Sequence, residues 1–247
     1  MSKLVIAYLY PDLLNLYGDN GNVEILSYRA RKRGFDVEVS ENITKKTNLV
    51  FMGGGPDESQ RRMYKDLLEN KGKYLKDYIE NNGVGLFICG SYQLLGNYYK
   101  SSDGSVLKGL GVFDLYTKHP GNKEPRCIGN TLARLSEDIL KDPFFVPNNM
   151  IGKTLVGFEN HGGRTFLDEK EKPFAKIVKG HGNNSKDKTE GVLHKNSIGT
   201  YFHGPLLSRN PHLADFLIAK ALGIYKLERL NDDLIVAAHT ASENLKQ

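Results

Sequence analysis

The sequence predicts an α/β protein with a mostly parallel central sheet that helices cover on both faces. The first observation is that short apolar runs alternate with segments of helical periodicity through the amino-terminal half. Such alternation is typical of βαβ units, whose consecutive strands lie parallel in one sheet. The second observation is that glycines or a cysteine directly follow two of the apolar runs. In such a sheet, residues just past the carboxyl ends of the strands form the binding edge.

Each element is predicted from its local pattern. Strands are expected at residues 4–9, 36–39, 48–52 and 85–88, and helices at 23–33, 59–70, 73–82 and 92–99. The first helix is followed by Gly34, a residue type that commonly ends helices. Beyond about residue 112 the sequence changes to short strands and glycine-rich turns. Later strands are expected at 175–178 and 199–202, and later helices at 211–222, opened by Pro211, and at 232–244.

The sequence indicates one domain. It contains no internal repeat, no low-complexity tract and no long linker, and its 247 residues are enough to bury a large apolar core. We predict a single domain over residues 1–247, with a helical carboxyl-terminal extension from about residue 225.

The composition is that of a water-soluble protein. Hydrophobic residues make up 39% and charged residues 26%, and no run approaches the ~20 apolar residues of a membrane span. The net charge of +5 is dispersed, which does not favour a nucleic-acid partner. Its densest basic run, at 29–33, is expected to face water at a helix end. With two cysteines and no segment resembling a signal peptide, we expect a cytoplasmic protein with free thiols.

Cys89 is the first candidate catalytic residue. It lies between the strand expected at 85–88 and the helix that follows. At such a corner the free N–H groups of the helix favour a thiolate, and the N–H of Gly90 can face an oxyanion. A buried structural cysteine is the alternative, since free cysteine packs as a small hydrophobe. The corner position favours the nucleophile.

The glycines at 53–55 are the second candidate feature. They follow the strand expected at 48–52, so they are expected at the same edge of the sheet as Cys89. Glycine lets the backbone approach a ligand closely and take positive φ. The run alone also fits a tight turn or a phosphate nest, but it lacks the flanking residues of the known nucleotide-binding loops. Beside the cysteine corner, it is expected to supply the second oxyanion donor.

Two histidines are candidates for the general base that a thiol nucleophile requires. His203 follows the strand expected at 199–202, and His161 lies in a glycine-rich turn. The pattern alone favours neither. His212 and His239 fall in predicted helices and are expected to be surface or packing residues.

Together these motifs resemble the class I glutamine amidotransferases, in particular the cobyric-acid-synthase-like branch. The resemblance lies in the Gly-Gly-Gly run at 53–55, the Cys-x-x-x-Gln run at 89–93, the Gly-Phe-Glu-Asn-His-Gly run at 157–162, and the longer runs at 14–22 and 199–205. The longer runs narrow it to the glutaminase subunits of enzymes that amidate lipid II, the peptidoglycan precursor. The resemblance covers roughly residues 4–207 and implies a flavodoxin-like three-layer sandwich.

The resemblance implies how the candidate residues would act on glutamine. Cys89 would attack the side-chain amide and form a thioester, and His203 would take the thiol proton and later protonate the leaving ammonia. The oxyanion would be held by backbone N–H groups of Gly54 or Gly55, together with that of Gly90.

The resemblance also implies a substrate-binding set. Arg126 would bind the glutamine, whose α-carboxylate a guanidinium can hold at two points. Gln93 would lie beside the substrate, and Asn160 and His161 would border the site. No metal and no cofactor are implied for this chain.

Two departures from the pattern of the class bear on catalysis. Most members have glycine two residues after the nucleophile, where this sequence has Ser91. The usual His-x-Glu is replaced by His203-Gly204-Pro205, so the carboxylate that orients the imidazole is absent from the local sequence. Losing that group should weaken catalysis considerably. We therefore expect a partner subunit to supply the orienting group.

By the same resemblance, the partner is a MurT-like Mur ligase subunit, with which the chain would form a heterodimer. That partner would use ATP to activate D-glutamate in the stem of lipid II, and this chain would supply ammonia from L-glutamine. Three alternatives remain: the same chemistry for another acceptor, such as a corrinoid or a nucleotide precursor; a cysteine hydrolase of the same fold; and a non-catalytic binding subunit.

Overall fold

The computed structural model describes residues 2–121, 123–148 and 150–245. In chain order, its strands are β1 (Lys3–Tyr8), β2 (Asp36–Ser40), β3 (Leu49–Met52), β4 (Val84–Ile88), β5 (Tyr98–Lys100), β6 (Val106–Lys108), β7 (Leu115–Lys118), β8 (Cys127–Leu135), β9 (Thr154–His161), β10 (Arg164–Leu167), β11 (Ala175–Lys179), β12 (Thr189–Glu190), β13 (Val192–His194) and β14 (Ser197–Thr200). Its helices are α1 (Asn20–Arg31), α2 (Asp57–Asp66), α3 (Gly72–Glu80), α4 (Gly90–Leu95), α5 (Glu137–Leu140), α6 (Pro211–Leu222) and α7 (Asp233–Glu243).

The central sheet has six strands in the order β13-β14-β4-β3-β1-β2. All neighbours pair in parallel except β13 and β14, which are antiparallel. Strands β3, β4 and β14 are buried along their whole length, as expected for a sheet covered on both faces. The prediction of a mostly parallel α/β sheet is therefore confirmed.

The register of this sheet brings the candidate residues to one edge. Met52 lies opposite Phe87, and Ile88 lies opposite Thr200. The carboxyl ends of β3, β4 and β14 are therefore adjacent, and the segments that contain Gly54, Cys89 and His203 leave the sheet side by side.

Two smaller sheets lie outside the central one, in the orders β10-β7-β5-β6 and β12-β11-β8-β9. Strands β8 and β9 pair antiparallel over their length, with Cys127 opposite His161. This pairing places Arg126 beside the end of β9. A backbone bridge between Phe158 and His203 then joins β9 to the segment after β14.

The helices pack on the central sheet in two groups. Helices α1 and α6 contact each other and β1, whereas α4 contacts β4, β14 and α2. No helix in the described ranges is long and apolar enough to cross a membrane.

The basic run at the end of α1 differs from its prediction. Arg29 is 2% exposed and forms ion pairs with Asp215 at 2.7 Å and Asp232 at 2.6 Å. Arg33 also binds Asp215. The expectation that the whole run faces water is wrong, because carboxylates from α6 and from the start of α7 pair with these guanidinium groups.

Several predicted helix boundaries differ from the structure. Helix α1 spans Asn20–Arg31 against the predicted 23–33, and α2 spans Asp57–Asp66 against the predicted 59–70. Helix α6 spans the predicted residues, and α7 matches its prediction within one residue at each end. The helix predicted at 92–99 ends at Leu95, and β5 begins at Tyr98. Gly96 is extended (φ −72°, ψ −171°), so the chain leaves the helix there and Asn97 donates to the carbonyl of Leu115.

Candidate active site

Cys89 occupies a strained corner between β4 and α4. Its φ is 51° and its ψ −104°, a conformation that costs a non-glycine residue on the order of 1–3 kcal/mol. Hydrogen bonds hold the corner on both sides, because Cys89 N–H donates to the carbonyl of Thr200 at 2.8 Å and Gln93 N–H donates to the carbonyl of Cys89 at 3.0 Å. Such strain is maintained only where the surrounding structure enforces it, which is typical of a catalytic nucleophile.

Ser91 stands where most members of the class have glycine. Its hydroxyl connects the corner at Cys89 to the glycine loop. Its hydroxyl lies 2.9 Å from the carbonyl of Met52, 2.8 Å from that of Gly53 and 2.9 Å from that of Ile88. The side chain is fully buried. Serine therefore adds a connection between the ends of β3 and β4, where glycine would leave these carbonyls without this donor.

His203 is buried beside the corner and is held by its backbone. Its N–H donates to the carbonyl of Phe158 at 2.8 Å, and the N–H of Phe158 donates to the carbonyl of His203 at 3.3 Å. The Nδ1 atom lies 3.1 Å from Oδ2 and 3.3 Å from Oδ1 of Asp19. Within the described residues, Nε2 makes no hydrogen bond of ordinary geometry. Catalytic hydrogen bonds often reach good geometry only when substrate is bound.

The electrostatics favour a protonated imidazole. Burial acts to lower the pKa of His203, but the neighbouring Cys89 and the hydrogen bond to Asp19 outweigh it and raise that pKa to about 10. The arrangement therefore favours an imidazolium at His203, with Asp19 stabilising the positive charge.

Asp19 places a carboxylate of this chain against the imidazole, where the sequence predicted that a partner subunit would supply one. It lies just before α1, in the loop after β1, and is 0% exposed. The residues next to His203 in the sequence include no carboxylate. The contact depends on β1 lying beside β3, which local sequence patterns do not show.

Close contacts explain why glycine is found in the loop at 53–55. A Cβ at Gly54 would lie 2.6 Å from Cε1 of His203 and 3.2 Å from Cβ of Cys89. The N–H of Gly54 donates to Oδ2 of Asp19 at 2.7 Å. The N–H of Gly54 is thus hydrogen-bonded to Asp19, and it does not serve as an oxyanion donor in this conformation. Gly55 and Gly90 remain the predicted oxyanion donors.

One cleft of about 580 Å³ brings the predicted site residues together. Its lining includes Gly55, Cys89, Gln93, Arg126, Asn160 and His161. His203 borders it through its contact with Tyr17, since Tyr17 lines the cleft and their ring centroids are 5.0 Å apart.

Arg126 is anchored on one wall of this cleft. Its Nε donates to Oδ1 of Asn160 at 3.0 Å, and Nη2 donates to the carbonyl of Asn160 at 3.2 Å. The amide of Asn160 in turn donates to the hydroxyl of Tyr17. Two guanidinium contacts thus fix the orientation of Arg126 on the cleft wall.

His161 lies in the cleft wall in a setting that suits a structural role. Its ring stacks on Tyr201 with centroids 3.6 Å apart, and its Nδ1 lies 2.8 Å from the carbonyl of Gly163. Burial lowers its pKa, against the opposing effect of Glu159. Tyr201 also accepts a hydrogen bond from Gln93 at 2.9 Å, so the stack holds Gln93 at the cleft.

The described residues contain no cluster of side chains that could hold a metal ion.

Comparison with known proteins identifies the family. Residues 5–211 match the model of the CobB/CobQ-like glutamine amidotransferase domain. The chain belongs to this family. It is 42% identical over 226 residues to the lipid II isoglutaminyl synthase (glutamine-hydrolyzing) subunit GatD of Streptococcus pneumoniae, covering 89% of this chain and 81% of that protein. The same subunit of Staphylococcus aureus is 41% identical over 227 residues, covering 90% of this chain and 85% of that protein.

A solved structure supports the fold. A glutamine amidotransferase from Thermotoga maritima superposes with a TM-score of 0.55 at 15% identity, over 98% of this chain and 92% of that chain. This likeness concerns the fold alone, and it confirms the predicted flavodoxin-like sandwich. The resemblance named from the sequence, to glutamine-hydrolysing amidotransferases and their lipid II branch, is likewise confirmed.

Proposed function

We propose that this chain is the glutaminase subunit of a lipid II isoglutaminyl synthase. The observation that carries the proposal is the strained Cys89 beside a buried, carboxylate-braced His203 in a cleft that also contains Arg126. Its identity of 41–42% to GatD subunits supports lipid II as the acceptor. This degree of likeness favours lipid II over a corrinoid or nucleotide precursor.

The reaction begins with binding of L-glutamine. Arg126 holds the α-carboxylate, and the side-chain amide points to Cys89. The thiolate attacks the amide carbon, and the N–H groups of Gly55 and Gly90 hold the oxyanion that forms. Imidazolium His203 then protonates the nitrogen, and ammonia leaves as the thioester forms.

Water completes the cycle. Neutral His203 takes a proton from a water molecule, which attacks the thioester and releases glutamate and the cysteine thiolate. The net change is glutamine plus water to glutamate plus ammonia. Asp19 stabilises the imidazolium in the resting enzyme and again after the water is deprotonated.

The ammonia passes, in this proposal, to a MurT-like Mur ligase subunit in a heterodimer. That subunit uses ATP to activate the α-carboxyl group of D-glutamate in lipid II, and ammonia converts it to D-isoglutamine. This chain contributes neither ATP binding nor a metal. We place the complex in the cytoplasm, where a catalytic thiol stays reduced.

The test is ammonia release from L-glutamine by the purified chain and by its complex with the Mur ligase subunit, for the wild type and Cys89→Ala. We expect release that requires Cys89, and amidated lipid II only when ATP, lipid II and both subunits are present. Glutamine hydrolysis without lipid II amidation would favour another acceptor. No hydrolysis, with Cys89 inert to a glutamine-analogue chloroketone, would favour the binding-subunit alternative.

A further inference from the structure

We propose that Asp19 completes the glutaminase machinery within this chain, by positioning His203 and the glycine loop with one carboxylate. This inference rests on the proposed function. Oδ2 of Asp19 lies 3.1 Å from Nδ1 of His203 and accepts the N–H of Gly54 at 2.7 Å. One oxygen therefore contacts both the general base and the loop that precedes the oxyanion donor Gly55. No carboxylate from another subunit is needed for either contact.

The burial of Asp19 supports a charge-stabilising role. An ionised carboxylate with no exposed surface is costly unless it is paired. Within the described residues, the only ion pair of Asp19 is with His203. A neutral His203 would leave this carboxylate with hydrogen bonds alone, so the pair favours the imidazolium. Other titratable groups beside the pair are Cys89 and Tyr17, next to His203, and Tyr8, whose pKa Asp19 acts to raise.

The loop around Asp19 is built to fix its position. Asn22 donates from both its backbone N–H, at 3.0 Å, and its side-chain amide, at 3.1 Å, to the carbonyl of Asp19. Asn22 Oδ1 accepts the N–H of Leu207 at 2.9 Å, four residues after the base. The loop and the segment that contains His203 are therefore joined twice, through Asp19 and through Asn22.

A second pair of contacts fixes the glycine loop to the same turn. Leu16 N–H donates to the carbonyl of Gly54 at 3.0 Å, while Gly54 N–H donates to Asp19. Both sides of Gly54 are thus held by residues 16–19. We infer that Asp19 sets the orientation of the peptide planes around Gly54, and through them the direction of the Gly55 N–H.

The decisive variant is Asp19→Asn in the complex with the Mur ligase subunit. The amide keeps the shape but removes the charge, and its nitrogen cannot accept the hydrogen bonds that the carboxylate accepts. We expect kcat for glutamine hydrolysis to fall about 100- to 10,000-fold, with KM within about threefold of wild type. Asp19 acts to raise the pKa of His203. In the variant, the fall of activity on the alkaline side of the pH profile should therefore begin at a lower pH.

The control is Asp66→Asn. Asp66 lies outside the cleft, and its carboxylate accepts a hydrogen bond from the hydroxyl of Tyr10. This substitution should leave kcat and the pH profile unchanged. If Asp19→Asn kept kcat and the pH profile within about threefold of wild type, the proposal would be wrong. A partner carboxylate would then be the orienting group.

A measurement on the wild-type chain alone guards against a variant that fails to fold. In nitrogen-15 NMR of the imidazole, we expect His203 to stay protonated at Nδ1 at neutral and mildly alkaline pH without the partner. Titration near the ordinary value of 6.5, or an unprotonated Nδ1, would overturn the proposal. This readout is independent of turnover, so it separates failure of the Asp19 role from failure of the glutaminase function itself.

Discussion

The ring of Tyr17 packs edge-on against the imidazole of His203, with centroids 5.0 Å apart. Tyr17 takes a φ of 55°, which few residues of its size adopt, and its hydroxyl accepts a hydrogen bond from Asn160. Asn160 also accepts a hydrogen bond from Arg126. A series of contacts therefore connects Arg126, the proposed substrate-binding residue, to His203, the proposed base.

This series of contacts predicts different effects for two substitutions at Tyr17. Tyr17→Phe removes only the hydrogen bond to Asn160, so KM for glutamine should rise about two- to fivefold with kcat retained. Tyr17→Ala also removes the ring against His203, so kcat should fall about tenfold as well. Steady-state ammonia release separates the two. Equal kinetics for both variants would contradict the role of the ring.

Arg126 is predicted to bind substrate through its planar fork. Arg126→Lys keeps the charge but cannot reproduce the two contacts to Asn160, so KM should rise at least about tenfold while kcat changes little. Arg134→Lys is a matched control, because Arg134 lies on the neighbouring strand β8 and is exposed. If the two lysine variants gave the same KM, Arg126 would be a loop arginine without a role in binding.

Ser91 gives a prediction about stability. Ser91→Gly introduces the residue found at this position in most class I enzymes, but here it removes the donor that faces three buried carbonyls. We expect a loss of about 1–2 kcal/mol in the free energy of unfolding. Urea unfolding monitored by circular dichroism measures this loss. An unchanged midpoint would show that Ser91 contributes no more than glycine.

Cys89 and His203 could be predicted from the sequence because each lies just past an apolar strand, and strand ends meet at one edge of a parallel sheet. Asp19 could not be assigned in the same way. The loop at 18–22 follows the first predicted strand, but the role of Asp19 depends on β1 lying beside β3. Strand order is a property of the whole fold, so a contact between residues 184 apart in sequence is not visible in local patterns.

The same limit applies to the oxyanion donors. The sequence identified the glycine run but could not distinguish Gly54 from Gly55. The distinction depends on which N–H donates a hydrogen bond to the Asp19 carboxylate. In the folded chain that donor is the N–H of Gly54.

Glu190 gives a prediction about the pH dependence of stability. It is fully buried; Oε1 accepts hydrogen bonds from Thr200 Oγ1 at 2.5 Å and Tyr201 N–H at 3.0 Å. Burial raises the pKa of Glu190 to about 8, with these hydrogen bonds acting in the opposite direction. In the unfolded chain the carboxyl group titrates near its ordinary value of 4.5. Between these two values the folded chain therefore binds more protons than the unfolded chain.

It follows that the contribution of Glu190 is fully favourable below about pH 4.5 and is lost as pH rises toward 8. Glu190→Gln keeps an acceptor at the same place and removes the titration. The free energy of unfolding should then vary less between pH 5 and 8 in the variant, by an amount on the order of 3 kcal/mol. Urea unfolding of both proteins at several pH values tests this. Parallel curves would mean that Glu190 is ionised in the folded chain at neutral pH, with its charge balanced by the hydroxyl and N–H donors around it.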